Sequence, residues 1–349
     1  MTRFFGKAPF DLATSGMPRA TWTDLGAPEP ALDDLAAYGR LTEAIASYND
    51  CSAAEVVPAL GTSNAIFLAY AAMLEPGDEI VVEHPGYEPL TRAAQGLGAV
   101  VRTFERRESE TFRVVPERVA AAITPRTRAI VVTHHHNPTG AVLDDATIRE
   151  LAAIAEARGA YVLVDEVYAP LEDLPESGVF RRSARKLASN VIAVGSLTKC
   201  YGLGMHRLGW VLGPPEIVER AGAALIATCG HLPLAHAARG AVALANIGKL
   251  AARSRALIGD KRSVVASWAE TLPRARWSAP PSGIFGLLTL DGAGDLLPRI
   301  ESWIEGHGIL VSPATFFGVP NGLRLSWATL PRPRLEEALS KLAPLLLAK

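Results

Sequence analysis

Short apolar runs at residues 79–83, 129–133, 161–165 and 191–195 constrain the fold of this chain more than any other feature. Each is strand-sized and rich in Val and Ile, and segments with helical spacing lie between them. Residues 145–158 are the clearest of these, with Ile148, Leu151, Ile154 and Ala155 on one stripe and Gly159 as a stop. Such alternation predicts an α/β fold, with a mostly parallel central sheet flanked by helices. In open parallel sheets ligands gather at the carboxyl ends of strands, and Asn137, Asp165 and Lys199 all fall there.

The pattern changes after Pro214, to a helix-rich stretch over 216–268, strand signals at 286–290 and 323–327, and a last helix over 334–347. This predicts a smaller α+β domain completed by the N-terminal segment. The expected limits are 38–250 for the large domain and 1–37 plus 251–349 for the small one, with one long helix bridging them near 245–260.

Composition narrows the function classes. A 349-residue chain that is 49% hydrophobic and 20% charged can bury a large core. Its net charge of −1 gives no reason to expect a nucleic-acid partner or an anionic membrane. No apolar run approaches the ~18–20 residues that cross a bilayer, and the N-terminus lacks the apolar core of a secretory signal. The cysteines, Cys51, Cys200 and Cys229, are odd in number and far apart, which points to a reducing cytoplasm rather than a disulfide framework. Cys200 has no evident base partner and reads as a packing residue.

The chemistry concentrates in residues 196–210, which begin Ser196-Leu197-Thr198-Lys199 and continue through Gly202 and Gly204 to Arg207. A lysine at the end of a buried strand loses hydration, which lowers its pKa and exposes a nucleophilic amine. Such an amine forms Schiff bases with carbonyls, including an aldehyde cofactor. Ser196 and Arg207 offer a hydroxyl and a guanidinium suited to a phosphate. Gly61-Thr62-Ser63-Asn64 precedes an apolar helix over 65–74, and a helix N-terminus also attracts phosphate, although the same residues could be an ordinary cap. Asn137-Pro138-Thr139-Gly140 is a turn, Asp165-Glu166-Val167-Tyr168 closes a strand, and Gly322-Leu323-Arg324-Leu325-Ser326 buries an arginine among apolar neighbours. A buried arginine needs an anion. Glu166 reads as structural. His134, His135 and His136 are adjacent, so their side chains diverge and a shared metal is not expected; His136, beside Asn137, is placed to line the pocket.

Taken in order, these stretches resemble the class I/II aminotransferases, pyridoxal-phosphate enzymes of fold type I. The resemblance implies pyridoxal 5'-phosphate as cofactor, held by Lys199 as an aldimine, with freed Lys199 then moving the substrate's Cα proton. It places the phosphate among Thr62, Ser63, Asn64, Ser196 and Arg207. Tyr87 is implied to stack on the ring and to count with Lys199 and Asp165 as catalytic, while Asn137 and Tyr168 would bond the phenolic oxygen. Asp165 would face the ring nitrogen; at 3–4 Å and an effective dielectric of 20 such a carboxylate is worth ~4 kcal/mol, about three pKa units toward a protonated, electron-accepting ring. Arg324 would clamp the substrate carboxylate, with Asn137 and Gly16 nearby, and Tyr38 would reach a neighbouring subunit's phosphate.

The implied activity is transfer of the amino group of an α-amino acid to a 2-oxo acid, by a homodimer with active sites at its interface. A carbon–sulfur lyase, decarboxylase or racemase of the same fold shares most of these residues. A cofactor-sensing regulator would need a DNA-binding module ahead of residue 61, where no basic helix-turn-helix is evident. Phe4-Phe5, Cys229-Gly230-His231 and Phe316-Phe317 point to an apolar side-chain site without naming its occupant.

Overall fold

The apolar runs become the inner strands of a seven-stranded sheet in a computed structural model that describes residues 6, 8–278 and 280–347. The order across the sheet is Val56–Leu60, Leu208–Leu212, Val191–Ser196, Tyr161–Asp165, Thr127–Thr133, Glu79–His84 and Val100–Glu105. Leu208–Leu212 runs antiparallel to both neighbours, and the other adjacent pairs are parallel.

Period-two alternation sends successive side chains to opposite faces. Ile80, Val82, Val131, Leu163, Ile192 and Val194 pack with the helix Thr62–Met73 through Ala65, Ile66 and Ala69. Val81, Ile130, Val132, Val162 and Val164 pack on the other face against Ile148, Leu151 and Ala155 of the helix Asp145–Glu156. With both faces covered, the strands have no polar side to show, which is why they read as continuous apolar runs. The loops after Thr133, Asp165 and Ser196 therefore open from one end of a rigid, dry sheet.

A four-stranded antiparallel sheet, ordered Ser312–Pro313, Leu323–Ser326, Phe285–Leu290 and Ala275–Trp277, forms the second layer. Leu323 and Leu325 share a core with Trp303, Leu335 and Leu339 of the helices Leu297–His307 and Arg332–Leu347, and with Phe10 and Leu12 of the N-terminal segment. Phe10–Asp11 pairs in parallel with Ile309–Leu310.

Between the sheets the single long helix expected near 245–260 is replaced by shorter ones: Pro215–Cys229, Leu234–Ala245, Ile247–Ile258 and Lys261–Glu270. Asn246 leaves helical geometry at φ −117° and ψ 14°, and Gly259 turns the chain at φ 49°. Lys261 is buried and donates from Nζ to the carbonyls of Ala328 and Leu330, tying its helix to the chain beyond Ser326.

Candidate active site

The helix Thr62–Met73 starts at Gly61, whose φ of 79° and ψ of 174° are open to glycine and whose missing Cβ leaves room for Arg207. A Cβ there would sit 2.7 Å from an Arg207 guanidinium nitrogen. No side chain caps this N-terminus, so its first N–H groups remain available beside that guanidinium. Thr62 donates to Ser196 Oγ at 2.8 Å, and the hydroxyls of Ser196 and Thr198 lie 2.7 Å apart. A cation, a helix N-terminus and clustered hydroxyls make an anion cradle.

Thr198 was not among the sequence candidates, although its two-residue spacing from Ser196 in the same motif was the signal for it. Two expected members differ in place. Ser63 is exposed on the helix, and Asn64 spends its side-chain oxygen on Leu60 N–H at 2.9 Å, securing the loop.

Lys199 follows this cradle and is partly buried. Burial pulls its pKa down, Arg324 and Arg207 pull the same way, and Tyr87 and Asp165 oppose them. Gly16 leaves open the space beside the lysine stem: a Cβ on it would stand 3.7 Å from Lys199 Cδ. Asp165 is 3% exposed and accepts Val167 N–H at 3.0 Å through Oδ1. Burial pushes its carboxyl up to about 7, and the nearby Glu83 adds to the rise. A carboxylate so poorly solvated gains most from a cation brought into the same pocket. Glu83, itself paired with Arg106 at 2.6 Å, is a second contributor that sequence reading missed, because only the fold brings it near Asp165.

Arg324 donates to Asn137 Oδ1 at 2.9 Å and to the Ala13 carbonyl at 2.7 Å, while its Nε is buried without a partner. Its guanidinium lies 4.9 Å from the Phe317 ring centroid and 5.4 Å from that of Phe285. Among the described residues no carboxylate reaches it as an ion pair, so a desolvated cation waits for an anion. Asn137 turns its oxygen to Arg324 and thereby keeps its NH2 for another acceptor. Tyr168 stands edge-on to Phe285 with its hydroxyl 2.8 Å from Ser15 Oγ. Tyr87 is partly buried, and burial raises its phenol pKa against the pull of Lys199.

Other expected members lie outside this cluster. Tyr38 bonds the Leu232 carbonyl and packs its ring on His231. His136, expected to line the pocket, is fully buried between the Pro85 carbonyl at 2.8 Å and Thr139 Oγ1 at 2.6 Å. His135 bridges the Tyr168 carbonyl and Ser282, and His134 pairs with Glu172, so each histidine has its own protein partner. Among the described residues no His, Cys, Asp and Glu group is arranged to hold a metal. Glu166 binds Ser183 and the Ala184 N–H, and Cys200 donates to the Val167 carbonyl. Phe316 is exposed beside Phe317, whereas Phe4 and Phe5 lie outside the described residues.

Residues 34–342 match the family model for aminotransferase class I and II. The chain belongs to this family. It is 30% identical over 306 residues to an aspartate/prephenate aminotransferase of Thermus thermophilus, covering 84% of this chain and 75% of that one. Capreomycidine synthase of Streptomyces vinaceus is also 30% identical, over 98% of this chain and 90% of its own length. A PLP-dependent aminotransferase structure from Streptococcus suis superposes with a TM-score of 0.88 at 23% identity, covering 97% and 94% of the two chains, which shows the shared fold.

As a class I/II aminotransferase the chain is a pyridoxal-phosphate-dependent transferase, and its residues fit that cofactor. The glycine-floored cradle at Gly61 and Arg207 suits the phosphate, Asp165 suits a ring cation, Asn137 and Tyr168 offer donors, and Lys199 supplies an amine.

Proposed function

We propose that the enzyme moves the amino group of an α-amino acid to a 2-oxo acid, with Lys199 as the residue that holds the cofactor and moves the proton. The observation that carries this reading is Arg324: a buried guanidinium with an unpaired Nε, no carboxylate partner among the described residues, and electrostatic contact with Lys199. A substrate carboxylate accepted there fixes which Cα bond faces the lysine. Bound pyridoxal phosphate supplies an aldehyde for the incoming amine and a ring that takes up electrons. Lys199 Nζ, whose pKa burial pulls down, would take the proton from the substrate Cα, and Asp165 would hold the positive ring nitrogen. Phe285, Phe317 and Tyr168 border the clamp, which favours a side chain with apolar surface.

The proposed enzyme is a cytoplasmic homodimer, in which Tyr38 serves the partner's phosphate from a face outside its own chain's cluster. Two domains, 38–250 and 1–37 plus 251–349, carry the cradle and the carboxylate clamp respectively. A second reading is pyridoxal-phosphate chemistry other than transamination. It is favoured by the near full-length match to a relative named as a synthase.

The half-reaction decides between the two. Transamination converts the bound cofactor to its amine form with an amino acid and regenerates the aldehyde form with a 2-oxo acid, both visible in the absorbance spectrum. Substrate consumption without that interconversion supports the second reading.

A further inference from the structure

Tyr168 follows a sheet strand, yet its hydroxyl is held from the far end of the sequence. Ser15 Oγ lies 2.8 Å away, and the phenol also donates to the Ser15 carbonyl at 3.1 Å. Ser15 and Tyr168 are both buried, at 6% and 3% exposure, so water does not substitute for either partner. The segment carrying Ser15 is fixed on each side. Ala13 accepts from Arg324 at 2.7 Å, Thr14 accepts from Ser326 Oγ at 2.7 Å, and Met17 N–H donates to the Lys199 carbonyl at 2.8 Å. Arg324, Asp165, Cys200 and Tyr87 act electrostatically on Tyr168.

A phenol has one proton. With that proton given to the Ser15 carbonyl, the Ser15 hydroxyl is the group left to donate to Tyr168 Oη. When a ligand oxygen takes the Tyr168 proton instead, Ser15 Oγ–H still donates to Tyr168 and strengthens it as a donor, because hydrogen bonds in a chain polarise one another. We propose that Ser15 is a positioning residue that sets the direction and strength of the Tyr168 hydrogen bond to the cofactor's phenolic oxygen.

This inference rests on the reading of Lys199 and Tyr168 above. Its test is the pH titration of the holoenzyme's visible absorbance, which follows the proton on the lysine–cofactor linkage. Loss of that proton leaves more negative charge on the phenolic oxygen, so a weaker Tyr168 donor favours the protonated form. Ser15→Ala is expected to raise the midpoint by about half a unit to one unit, the scale of one neutral hydrogen bond. Ser15→Thr keeps the hydroxyl and the wild-type midpoint. In a Tyr168→Phe background Ser15→Ala shifts nothing further. If the Ala variant folds poorly, Ser15→Cys, a weak donor, is read in the same way.

An unchanged midpoint in Ser15→Ala overturns the inference alone, as does an equal shift with and without the Tyr168 hydroxyl. A wild type whose bound cofactor shows no titrating band overturns the reading of the site, and the inference with it.

Discussion

Arg324 and Asp165 show how burial without a matched partner marks a ligand site. A lysine cannot reproduce the planar fork of Arg324. In Arg324→Lys, amino-acid substrates should lose roughly 2–4 kcal/mol in kcat/KM, while cofactor loading holds and the matching amines without a carboxylate are hardly affected. Equal losses for amino acid and amine would place the carboxylate elsewhere. For Asp165→Asn, removing the charge at constant shape should slow Cα-proton removal about a hundredfold or more, since ~3–4 kcal/mol of ring stabilisation is lost.

The same substitution has the opposite sign for stability without cofactor. The Asp165 carboxyl rises from 3.8 to about 7 on folding, so the native state holds its proton more tightly than the unfolded chain. That contribution is present at low pH and is lost as pH climbs from about 4 through about 7. Urea unfolding of apo Asp165→Asn should therefore show an advantage over apo wild type that grows across this window and levels off above it. A constant difference from pH 4 to 8 would mean that the carboxyl is not shifted by burial.

At the scale of elements, the proposed phosphate cradle depends on two strands and a helix start meeting without side chains between them. A Cβ on Gly209 would stand 2.6 Å from the Gly61 carbonyl carbon and 3.0 Å from the Gly195 carbonyl oxygen, and backbone cannot step aside as a flexible side chain can. Gly209→Ala should cost about 1–3 kcal/mol in chemical denaturation and also weaken cofactor binding, because it displaces the head of the helix. Loss of stability with cofactor affinity intact would separate the glycine from the cradle.

The elements that the sequence showed clearly are those buried on both faces, such as Tyr161–Asp165 and Val191–Ser196. The two edge strands were not legible. Val56–Leu60 contains Pro58, tolerated because an edge strand has an unpaired side, and Val100–Glu105 is largely polar or exposed. The antiparallel Leu208–Leu212 was hidden for another reason: its direction follows from the way segment 197–207, which carries Lys199, brings the chain back alongside Val191–Ser196.

Across the whole molecule, the proposed site is assembled from positions as distant as Gly16 and Arg324. The residues with a recognisable local motif, Lys199, Asp165, Asn137 and Arg324, could be named before their contacts were known. Glu83 could not, because its effect on Asp165 comes from what the fold sets beside it, and the same holds for the contact of Ser15 with Tyr168. No helix among the described residues is long and apolar enough to cross a membrane. The N-terminal segment joins the layers, pairing with Ile309–Leu310 while reaching Arg324, Tyr168 and Lys199.

That convergence makes one lysine special, although burial alone does not. Lys261 is also buried with a lowered pKa, but its amine is occupied by two carbonyls. The measurement that tests the account most directly is borohydride reduction of the holoenzyme followed by peptide mapping. The expected result is reduced cofactor on Lys199 alone, with the label and the absorbance band of the lysine-linked cofactor both lost in Lys199→Ala even if free cofactor is retained. Label on Lys261, or on any other lysine of the wild type, would contradict it.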